Sequence, residues 1–277
     1  MELYQAIILG IIEGLTEYLP VSSTGHLVVA MRLMGLGLAD NKEAADAFSI
    51  AIQGGAIIAV LGLYWPRVAQ MFKGLLGKDE VGKRLVIAMI AGFLPAAVIG
   101  LALNDVIKAN LFGLKPIIFA WIVGGIAILV VAKARKNQDS TAGLDLAEIT
   151  WKMALVIGFA QCVAMWPGTS RSLMTIVGGV LVGLNLRSAI EFSFLLGVLT
   201  LGAATAKDTL EHGSLMLSTF GPTNLIVGGI FAFISAAIAV KWMVGYLNKH
   251  GMAIFGYYRI AIGLIVAGLL AAGVVQG

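Results

Sequence analysis

Two glutamates at helical spacing are followed by hydroxyl groups and an imidazole in the segment 13–26, EGLTEYLPVSSTGH. Glu13 and Glu17 stand four residues apart, so both carboxylates face the same way on a helix. A carboxylate in the middle of a spanning helix costs roughly 2.5–3.5 kcal/mol on insertion scales. The pair therefore predicts a bound cation, a proton or a cavity. The alternative is that both carboxylates are solvated at an interface, since Pro20 could end the helix near water.

Three hydroxyl residues, Ser22, Ser23 and Thr24, directly precede an apolar stretch. Hydroxyls at such positions commonly cap free helical N–H groups, and capping alone is sufficient for any one of them. His26 adds a group that can carry protons near neutral pH or attack phosphorus. A lone histidine is more often structural, but one beside two carboxylates and two serines indicates function.

A second polar segment, PGTSRS at 167–172, places an arginine between two apolar stretches. A membrane-embedded arginine is costly unless it meets an anion, and the planar fork of Arg171 suits phosphate oxygens. Gly168 allows a close backbone approach, while Ser170, Ser172 and the start of the next helix offer further donors. The segment therefore predicts an anion-binding site.

Together the two segments predict an electrostatic division of labour. Carboxylates on one segment hold a divalent cation, and Arg171 with backbone donors on the other holds phosphate, which is mainly what phosphoryl transfer requires. The alternative for Arg171 is an internal ion pair with Glu13, Glu17 or Glu191, which could coexist with substrate binding. The residues alone indicate an anionic ligand. A phosphorylated lipid fits them, but they do not identify which one.

The elements that must position these residues are predicted to be membrane helices. The 277 residues are 59% hydrophobic and 12% charged, whereas soluble domains carry about a quarter charged residues. Thirty-five glycines indicate close helix packing and broken helices. The lone Cys162 excludes an internal disulfide, and no Cys/His cluster indicates zinc. Full spans are predicted at about 46–65, 85–103, 114–132, 190–206, 224–244 and 254–275.

Two regions do not fit simple spans. Residues 3–17 and 24–38 are short apolar pieces around the first polar segment, and 152–166 and 173–185 flank the second. Each region is predicted to be a re-entrant hairpin, whose irregular tip is tolerated at membrane depth only inside protein or beside an aqueous cavity. The predicted fold is an all-α polytopic membrane protein with six full transmembrane helices and two re-entrant hairpins, about ten helical segments.

The two regions are also alike in sequence. Sliding the first by 148 positions superposes four pairs: Gly10 on Gly158, Glu13 on Gln161, Tyr18 on Trp166, and Ser22 on Ser170. An odd number of spans separates the copies, so they must be inverted, as in many transporters. The predicted organisation is one membrane domain over 1–277, with a first repeat at 1–132 and a second, inverted repeat at 150–277.

Loop charge predicts the orientation. Basic residues cluster on one side, namely Arg67, Lys73, Lys78, Lys83, Arg84, Lys133, Arg135, Lys136, Lys241, Lys249 and Arg259. Loops 39–46 and 207–222 lack such an excess, so the basic side is predicted to be cytoplasmic. The net charge of +4 is attributed to this orientation and not to nucleic-acid binding. His212 and His250 fall in predicted loops and receive no role.

Both polar segments resemble those of the undecaprenyl-diphosphate phosphatases of the bacitracin-resistance (BacA) type. The resemblance covers nearly the whole chain, with support from Gln53, Gln161 and the run EFSFLL at 191–196. It implies an integral membrane hydrolase that converts undecaprenyl diphosphate to the monophosphate and phosphate, recycling the lipid carrier for peptidoglycan and conferring bacitracin resistance. It also implies a bacterial inner-membrane location, an active site open to the outside, and a divalent cation, Mg²⁺ or Ca²⁺.

The resemblance carries roles onto individual residues. It implies metal binding by Glu13 and Glu17, and catalysis by Glu17, Ser23, His26 and Arg171. The implied substrate-binding residues are Ser22, Thr24, Gly168, Ser170, Ser172, Thr175 and Gln161. Ser23 is the favoured nucleophile, with Glu17 or His26 assisting, and a His26 nucleophile stays open. The implied partners are a polyprenyl diphosphate and membrane lipids, with monomer and homodimer both open.

A transporter or lipid flippase with alternating access is the competing interpretation. Such a protein needs charged binding groups but no nucleophile, so Ser23 and His26 distinguish the two classes. A purely structural scaffold explains poorly why two polar hairpins lie at corresponding positions.

Overall fold

The fold is built of helices, as seen in a computed structural model that describes residues 1–36, 42–111, 113–134 and 142–275. The helices are α1 (Leu3–Glu17), α2 (Ser23–Leu33), α3 (Lys42–Leu63), α4 (Trp65–Leu75), α5 (Glu80–Leu111), α6 (Leu114–Ala134), α7 (Trp151–Val163), α8 (Arg171–Leu181), α9 (Leu186–His250) and α10 (Ala253–Ala271). Within these described ranges, strand-type pairing is limited to one isolated bridge between Leu144 and Leu184. The prediction of an all-α fold is confirmed.

Helices α3, α5, α6, α9 and α10 are each long and apolar enough to cross a membrane. Helix α9 has 65 residues and bends at Gly221, where φ is 74°, directly before Pro222. A glycine at positive φ ends a helix and a proline readily begins one, so α9 supplies two spans. Each of the six predicted spans overlaps one of these helical stretches, and the chain is a multi-pass membrane protein.

The predicted loop at 207–222 was wrong, because α9 continues as helix through most of it. Lys207 Nζ lies 2.5 Å from Glu211 Oε2, one turn further along the helix. His212 Nε2 lies 3.2 Å from Glu43 Oε1 of α3. Polar residues paired along a helix surface keep the helix stable where a loop was expected. The placement of His212 and His250 in loops was wrong for the same reason, since both lie in α9.

The predicted basic loop at 67–84 is largely helical, formed by α4 and the start of α5. The two helices touch so closely that a Cβ added to Gly74 would lie 2.1 Å from the Lys83 nitrogen. Asp79 caps α5 by accepting a hydrogen bond from the Gly82 N–H at 2.7 Å. That bond holds the pKa of the Asp79 carboxyl below its usual value.

One basic residue lies elsewhere than the charge pattern predicted, and others lie outside the described residues. Arg259 was predicted to lie on the basic side, but its side chain is fully buried within the protein. That placement was wrong because its charge is met by backbone carbonyl groups and not by water. Arg135 and Lys136 lie outside the described residues, as does 37–41, which includes the start of the predicted loop 39–46.

Glycines let the helices approach backbone to backbone. An ideal Cβ would lie 2.3 Å from the Gly228 oxygen at Gly10, and 2.4 Å from the Gly92 oxygen at Gly158. Such small-residue contacts are how membrane helices gain close packing. They attach α1 to the second part of α9, and α7 to α5.

Equivalent positions of the two hairpins behave alike. Gly10 and Gly158 make corresponding contacts, and Ser22 and Ser170 have positive φ values of 71° and 77°. These likenesses support an internal duplication. The boundaries 1–132 and 150–277 stay a prediction.

Neighbouring glycines of α3 provide a test of this packing. A Cβ at Gly55 would lie 2.0 Å from the Gly229 oxygen of α9, whereas one at Gly54 would meet nothing within 4 Å. We expect Gly55→Ala to lower the thermal unfolding midpoint in detergent, with a cost on the order of 1–3 kcal/mol from overpacking. The control, Gly54→Ala, should leave the midpoint unchanged or raise it, because alanine is the better helix former. Equal midpoints for the two variants would contradict the contact.

Candidate active site

The site is formed where two interrupted helices meet. Residues 18–22 join α1 to α2, and residues 164–170 join α7 to α8. Ser22 and Ser170 each precede the second half-helix in a positive-φ conformation. Non-glycine residues held in such conformations cost on the order of 1–3 kcal/mol each and persist only where the surroundings fix them. Both regions that were predicted to be hairpins are thus pairs of short helices with irregular tips.

The Glu17 carboxylate connects the two hairpins. Its Oε2 accepts a hydrogen bond from Ser23 Oγ, and its Oε1 accepts one from Arg171 Nη2 at 2.9 Å. Glu17 is only 7% exposed, so both hydrogen bonds are shielded from solvent. One buried carboxylate therefore holds a hydroxyl of the first hairpin and a guanidinium of the second.

Glu13 lies one turn before Glu17 and is fully buried. Neither of its carboxylate oxygens has a hydrogen-bond partner among the described residues. The alternative that both glutamates are solvated at an interface was therefore wrong. A buried carboxylate without a partner demands a proton or a cation.

The donor set fits a hard divalent cation. Among the described residues, no three His, Cys, Asp or Glu side chains form a group that could hold a metal. Two carboxylates suit Mg²⁺, which commonly binds one or two protein carboxylates and takes its other ligands from water and substrate phosphate. The unpartnered Glu13 oxygens, beside Glu17, are where such an ion would be held.

Arg171 is held by several neighbours besides Glu17. Its Nη1 donates to the Ser193 carbonyl at 3.1 Å, and its guanidinium lies 5.3 Å from the centre of the Tyr18 ring. A Cβ at Gly197 would lie 2.0 Å from Nη1, so only glycine leaves room for this side chain. The predicted internal ion pair of Arg171 is thus formed, with Glu17.

Glu191, the remaining acidic residue considered as a partner of Arg171, forms its ion pair with another residue. Glu191 Oε1 lies 2.7 Å from Arg67 Nε, so the alternative of an Arg171–Glu191 pair was wrong. Ser193 and Gly197 are parts of the site that were not predicted. The run EFSFLLG at 191–197 was the available signal, since it places both on the helix that follows the second hairpin.

The hydroxyl groups of the second hairpin form hydrogen bonds with other groups of the protein. Ser170 Oγ accepts a hydrogen bond from the Leu173 N–H at 3.3 Å, so capping is observed there. Ser172 Oγ donates to the Leu19 carbonyl at 2.9 Å, which joins the start of α8 to the first tip. Thr175 Oγ1 lies 2.6 Å from Ser193 Oγ, which ties α8 to α9.

His26 is engaged through both ring nitrogens. Nδ1 lies 2.7 Å from the Ser22 carbonyl oxygen, and Nε2 lies 2.8 Å from the Tyr258 hydroxyl. A carbonyl oxygen only accepts, so Nδ1 carries the proton, and in the neutral ring Nε2 accepts from Tyr258. His26 and Ser23 are neighbours on α2, yet the hydroxyl bonds to Glu17 and not to the imidazole. Tyr258 was not a predicted site residue, because it lies 232 positions from His26 along the chain.

The other predicted binding residues do not hydrogen-bond to the side chain of Glu17 or Arg171. Ser22 is buried and makes no side-chain cap hydrogen bond, so capping does not account for it. Thr24 is half-buried in the first turn of α2. Gly168, with φ of 95°, approaches α6, where a Cβ would lie 2.8 Å from the Ile117 oxygen. Gln161 is 4% exposed, and its amide has no hydrogen-bond partner among the described residues.

Three carbonyls of the first hairpin tip accept hydrogen bonds from side chains of three other elements. Ser172 of α8 binds the Leu19 oxygen, Arg259 of α10 binds the Pro20 oxygen at 3.2 Å, and Trp121 of α6 binds the Val21 oxygen at 2.8 Å. Neither Trp121 nor Arg259 was a predicted site residue. Because these donors are far away in sequence, the charge and spacing of the segment 13–26 do not reveal them.

The fold and site define a multi-pass membrane protein in which two re-entrant helical hairpins bring carboxylate, hydroxyl and guanidinium groups together. The family model described as "Bacitracin resistance protein BacA" matches residues 6–265. This chain belongs to that family.

Curated relatives agree over nearly the whole chain. "Undecaprenyl-diphosphatase" of Sorangium cellulosum (strain So ce56) is 44% identical over 264 residues, covering 95% of this chain and 85% of that protein. "Undecaprenyl-diphosphatase 2" of Rhodospirillum rubrum is 42% identical over 274 residues, covering 99% and 97%. "Undecaprenyl-diphosphatase" of Ectopseudomonas mendocina (strain ymp) is 42% identical over 263 residues, covering 95% and 92%.

The tautomer of His26 is a testable consequence of this geometry. In the neutral state we expect Nδ1 to be protonated and Nε2 unprotonated, because the Ser22 carbonyl can only accept. ¹⁵N NMR of protein labelled at its three histidines would show this, with His26→Gln assigning the signal. Tyr258→Phe should shift the Nε2 resonance of His26, whereas the neighbouring Tyr257→Phe should not. A neutral ring protonated at Nε2 would contradict the hydrogen bonds described.

Proposed function

We propose that this chain hydrolyses undecaprenyl diphosphate to undecaprenyl phosphate and inorganic phosphate. The observation that carries the proposal is the Glu17 carboxylate, which holds Ser23 Oγ on one side and Arg171 on the other. This arrangement is a nucleophile with its base, beside a group that binds phosphate. The names of the relatives supply the substrate, and the membrane-spanning fold suits a lipid whose tail stays in the bilayer.

In the proposed reaction Ser23 Oγ attacks the terminal phosphorus of the diphosphate. Its proton passes to Glu17 Oε2, the atom to which the hydroxyl already donates. The bond from the terminal phosphorus to the bridging oxygen breaks, and that oxygen leaves with the lipid monophosphate. A water oxygen then bonds to the phosphorus of the phosphoserine and the bond from phosphorus to Ser23 Oγ breaks. One water proton restores the serine hydroxyl, phosphate leaves, and Glu17 releases its proton to solvent. Each half of the reaction transfers one phosphoryl group, and no oxidant or reductant is needed.

Arg171 changes partner in this scheme. Without substrate it forms an ion pair with Glu17, in which Arg171 Nη2 lies 2.9 Å from Glu17 Oε1. Diphosphate oxygens offer the guanidinium fork a two-point ligand, so binding of substrate draws Arg171 from Glu17. Glu17 Oε1 is then released from the ion pair, while Oε2 keeps Ser23 Oγ as its hydrogen-bond donor.

Glu13 and Glu17 are the proposed ligands of a divalent cation, Mg²⁺ or Ca²⁺. When bound, such an ion neutralises negative charge on the transferred phosphoryl group. The support for this proposal is the fully buried, unpartnered carboxylate of Glu13. Glu13 would ionise on binding the ion, and Glu17, which accepts a hydrogen bond from Ser23, lies one turn further along the same helix.

His26 is proposed to position Ser23 and not to attack phosphorus. Both of its nitrogens are occupied, by the Ser22 carbonyl and the Tyr258 hydroxyl. By holding the carbonyl of Ser22, the residue before Ser23, His26 fixes the backbone from which the hydroxyl projects. Ser22, Thr24, Gly168, Ser170, Ser172, Thr175 and Gln161 are proposed to shape the phosphate-binding surroundings.

In the cell, this reaction would recycle the lipid carrier of peptidoglycan synthesis, and so contribute to cell-wall biogenesis and cell shape. It would confer bacitracin resistance by removing the diphosphate form that this antibiotic targets. The family name supports the proposed link to bacitracin, and the names of the relatives support the proposed substrate. We also propose location in the bacterial inner membrane, with basic loops in the cytoplasm and the site open to the outside.

Phosphate release from undecaprenyl diphosphate by purified protein in detergent tests the reaction. We expect release with Mg²⁺ or Ca²⁺ and none with EDTA. Ser23→Ala and Arg171→Ala should each reduce the rate by roughly 10²-fold or more, because each removes a group that acts on the transition state. Ser218→Ala, at an exposed position of α9, is the control and should match the unmodified protein. No release from a folded preparation, across several polyprenyl diphosphates, would overturn the proposal and favour a transporter.

The identity of the nucleophile has a separate test. With substrate labelled by ³²P in the terminal phosphate, acid quenching should trap label on the protein, since phosphoserine survives acid and phosphohistidine does not. The label should be absent from Ser23→Ala and present in His26→Gln. Label that is stable in alkali but lost in acid would identify His26 as the nucleophile, and full turnover without any labelled protein would indicate direct attack by water.

A further inference from the structure

Arg259 is a buried arginine whose charge meets no carboxylate among the described residues. It lies in α10, is fully buried, and makes its hydrogen bonds to backbone carbonyl groups alone. A buried guanidinium is expensive to desolvate unless its donors are satisfied. Its presence therefore calls for an explanation in terms of what it binds.

The three carbonyls come from three different elements. Nη1 donates to the Pro20 oxygen of the first tip at 3.2 Å. Nη2 donates to the Gly168 oxygen of the second tip and to the Ala120 oxygen of α6, each at 2.8 Å. A single rigid, planar group thus contacts both hairpin tips and a spanning helix, which a flexible ammonium on a lysine would hold less precisely.

The two tip carbonyls are equivalent positions. Pro20 lies three residues before Ser23, and Gly168 lies three residues before Arg171. The displacement that superposes Ser22 on Ser170 also superposes Pro20 on Gly168. Arg259 therefore binds each hairpin at a carbonyl three residues before the side chain that this hairpin contributes to the site.

Helix α6 leaves space for this side chain. A Cβ added to Gly124 would lie 2.3 Å from Arg259 Nη2, and one added to Gly125 would lie 3.2 Å from Arg259 Cβ. Two adjacent glycines of an otherwise apolar span thus face the arginine. The glycines leave space for the side chain, and both Nη1 and Nη2 have carbonyl partners, whereas Nε has none among the described residues.

We propose that Arg259 is a positioning residue that sets the separation between Ser23 and Arg171 by holding both hairpin tips. The inference rests on the proposed function for its effect on turnover, but its structural part does not. Phosphoryl transfer depends on alignment of the nucleophile with the bound phosphate, and a misplacement of about 1 Å can cost on the order of 10²-fold in rate. Arg259 touches no reacting atom and acts through the tips.

The first measurement is turnover of phosphate release. Arg259→Met should lower kcat by about 100-fold while KM stays within about threefold, because Arg171 still binds the diphosphate but is misaligned with Ser23. Arg259→Lys should recover part of kcat, since it keeps the charge and three donors but not the planar fork. Arg84→Met is the matched control, because Arg84 donates to the Ala147 carbonyl at 2.8 Å at the exposed end of α5, and its kcat should be unchanged.

The second measurement reports the hairpins directly and needs no substrate. Spin labels at Leu33 and Leu181, the exposed last residues of α2 and α8, are placed in a Cys162→Ala background and their separation is measured by pulsed EPR. Arg259→Met should shift or broaden this distance by several ångströms, Arg259→Lys less so, and Arg84→Met not at all. This readout separates a failure of the positioning role from a failure of the proposed function.

Gly124→Ala provides a second variant if Arg259→Met does not fold. It keeps every donor but displaces the guanidinium, so we expect folded protein with kcat lower by about 10-fold and an altered label distance. The proposal is overturned if folded Arg259→Met or Gly124→Ala has unmodified kcat, or if kcat falls while the label distance stays the same.

Discussion

Backbone carbonyl groups that no helix satisfies are the constraint on which the rest of this structure depends. In hydrocarbon each unpaired backbone group costs several kcal/mol, so a broken helix at membrane depth needs donors from elsewhere. Here Leu19, Pro20 and Val21 receive donors from Ser172, Arg259 and Trp121 in turn. The shape of the tip is therefore set by three distant helices, and Ser23 takes its position at the start of α2 from that shape.

Two arginines serve the site in opposite ways. Arg171 faces the Glu17 carboxylate, a charged partner for which a phosphate oxygen can compete. Arg259 faces neutral carbonyls that belong to the fold, so no anion in the site competes with its contacts. Each guanidinium lies against a glycine, Gly197 for Arg171 and Gly124 for Arg259, which shows that both positions were built around the side chain.

The sequence was informative wherever physics acts locally. Apolar length predicted the spans, short apolar pieces predicted both hairpins, and the spacing of Glu13 and Glu17 placed two carboxylates on one helix face. Predictions from the sequence were wrong where a side chain binds a partner far away in the chain, or where polar residues of one helix form ion pairs with each other. The polar residues Lys207 and Glu211 were predicted to lie in a loop, but they form an ion pair that stabilises a helix. Arg259 was predicted to lie on the basic side of the membrane, because carbonyl partners carry no sequence signature.

The long reach of Arg259 has a consequence for biogenesis. Pro20 and its guanidinium donor are 239 positions apart, and ribosomes add on the order of 5–20 residues per second, so roughly 10–50 seconds pass between them. During that interval the nascent first hairpin lacks its last donor, and its carbonyl must be hydrated in the translocon or bound by another group. The two halves consequently reach their mature arrangement only when α10 enters the bilayer. Assembly of the site is therefore a late event in the synthesis of this protein.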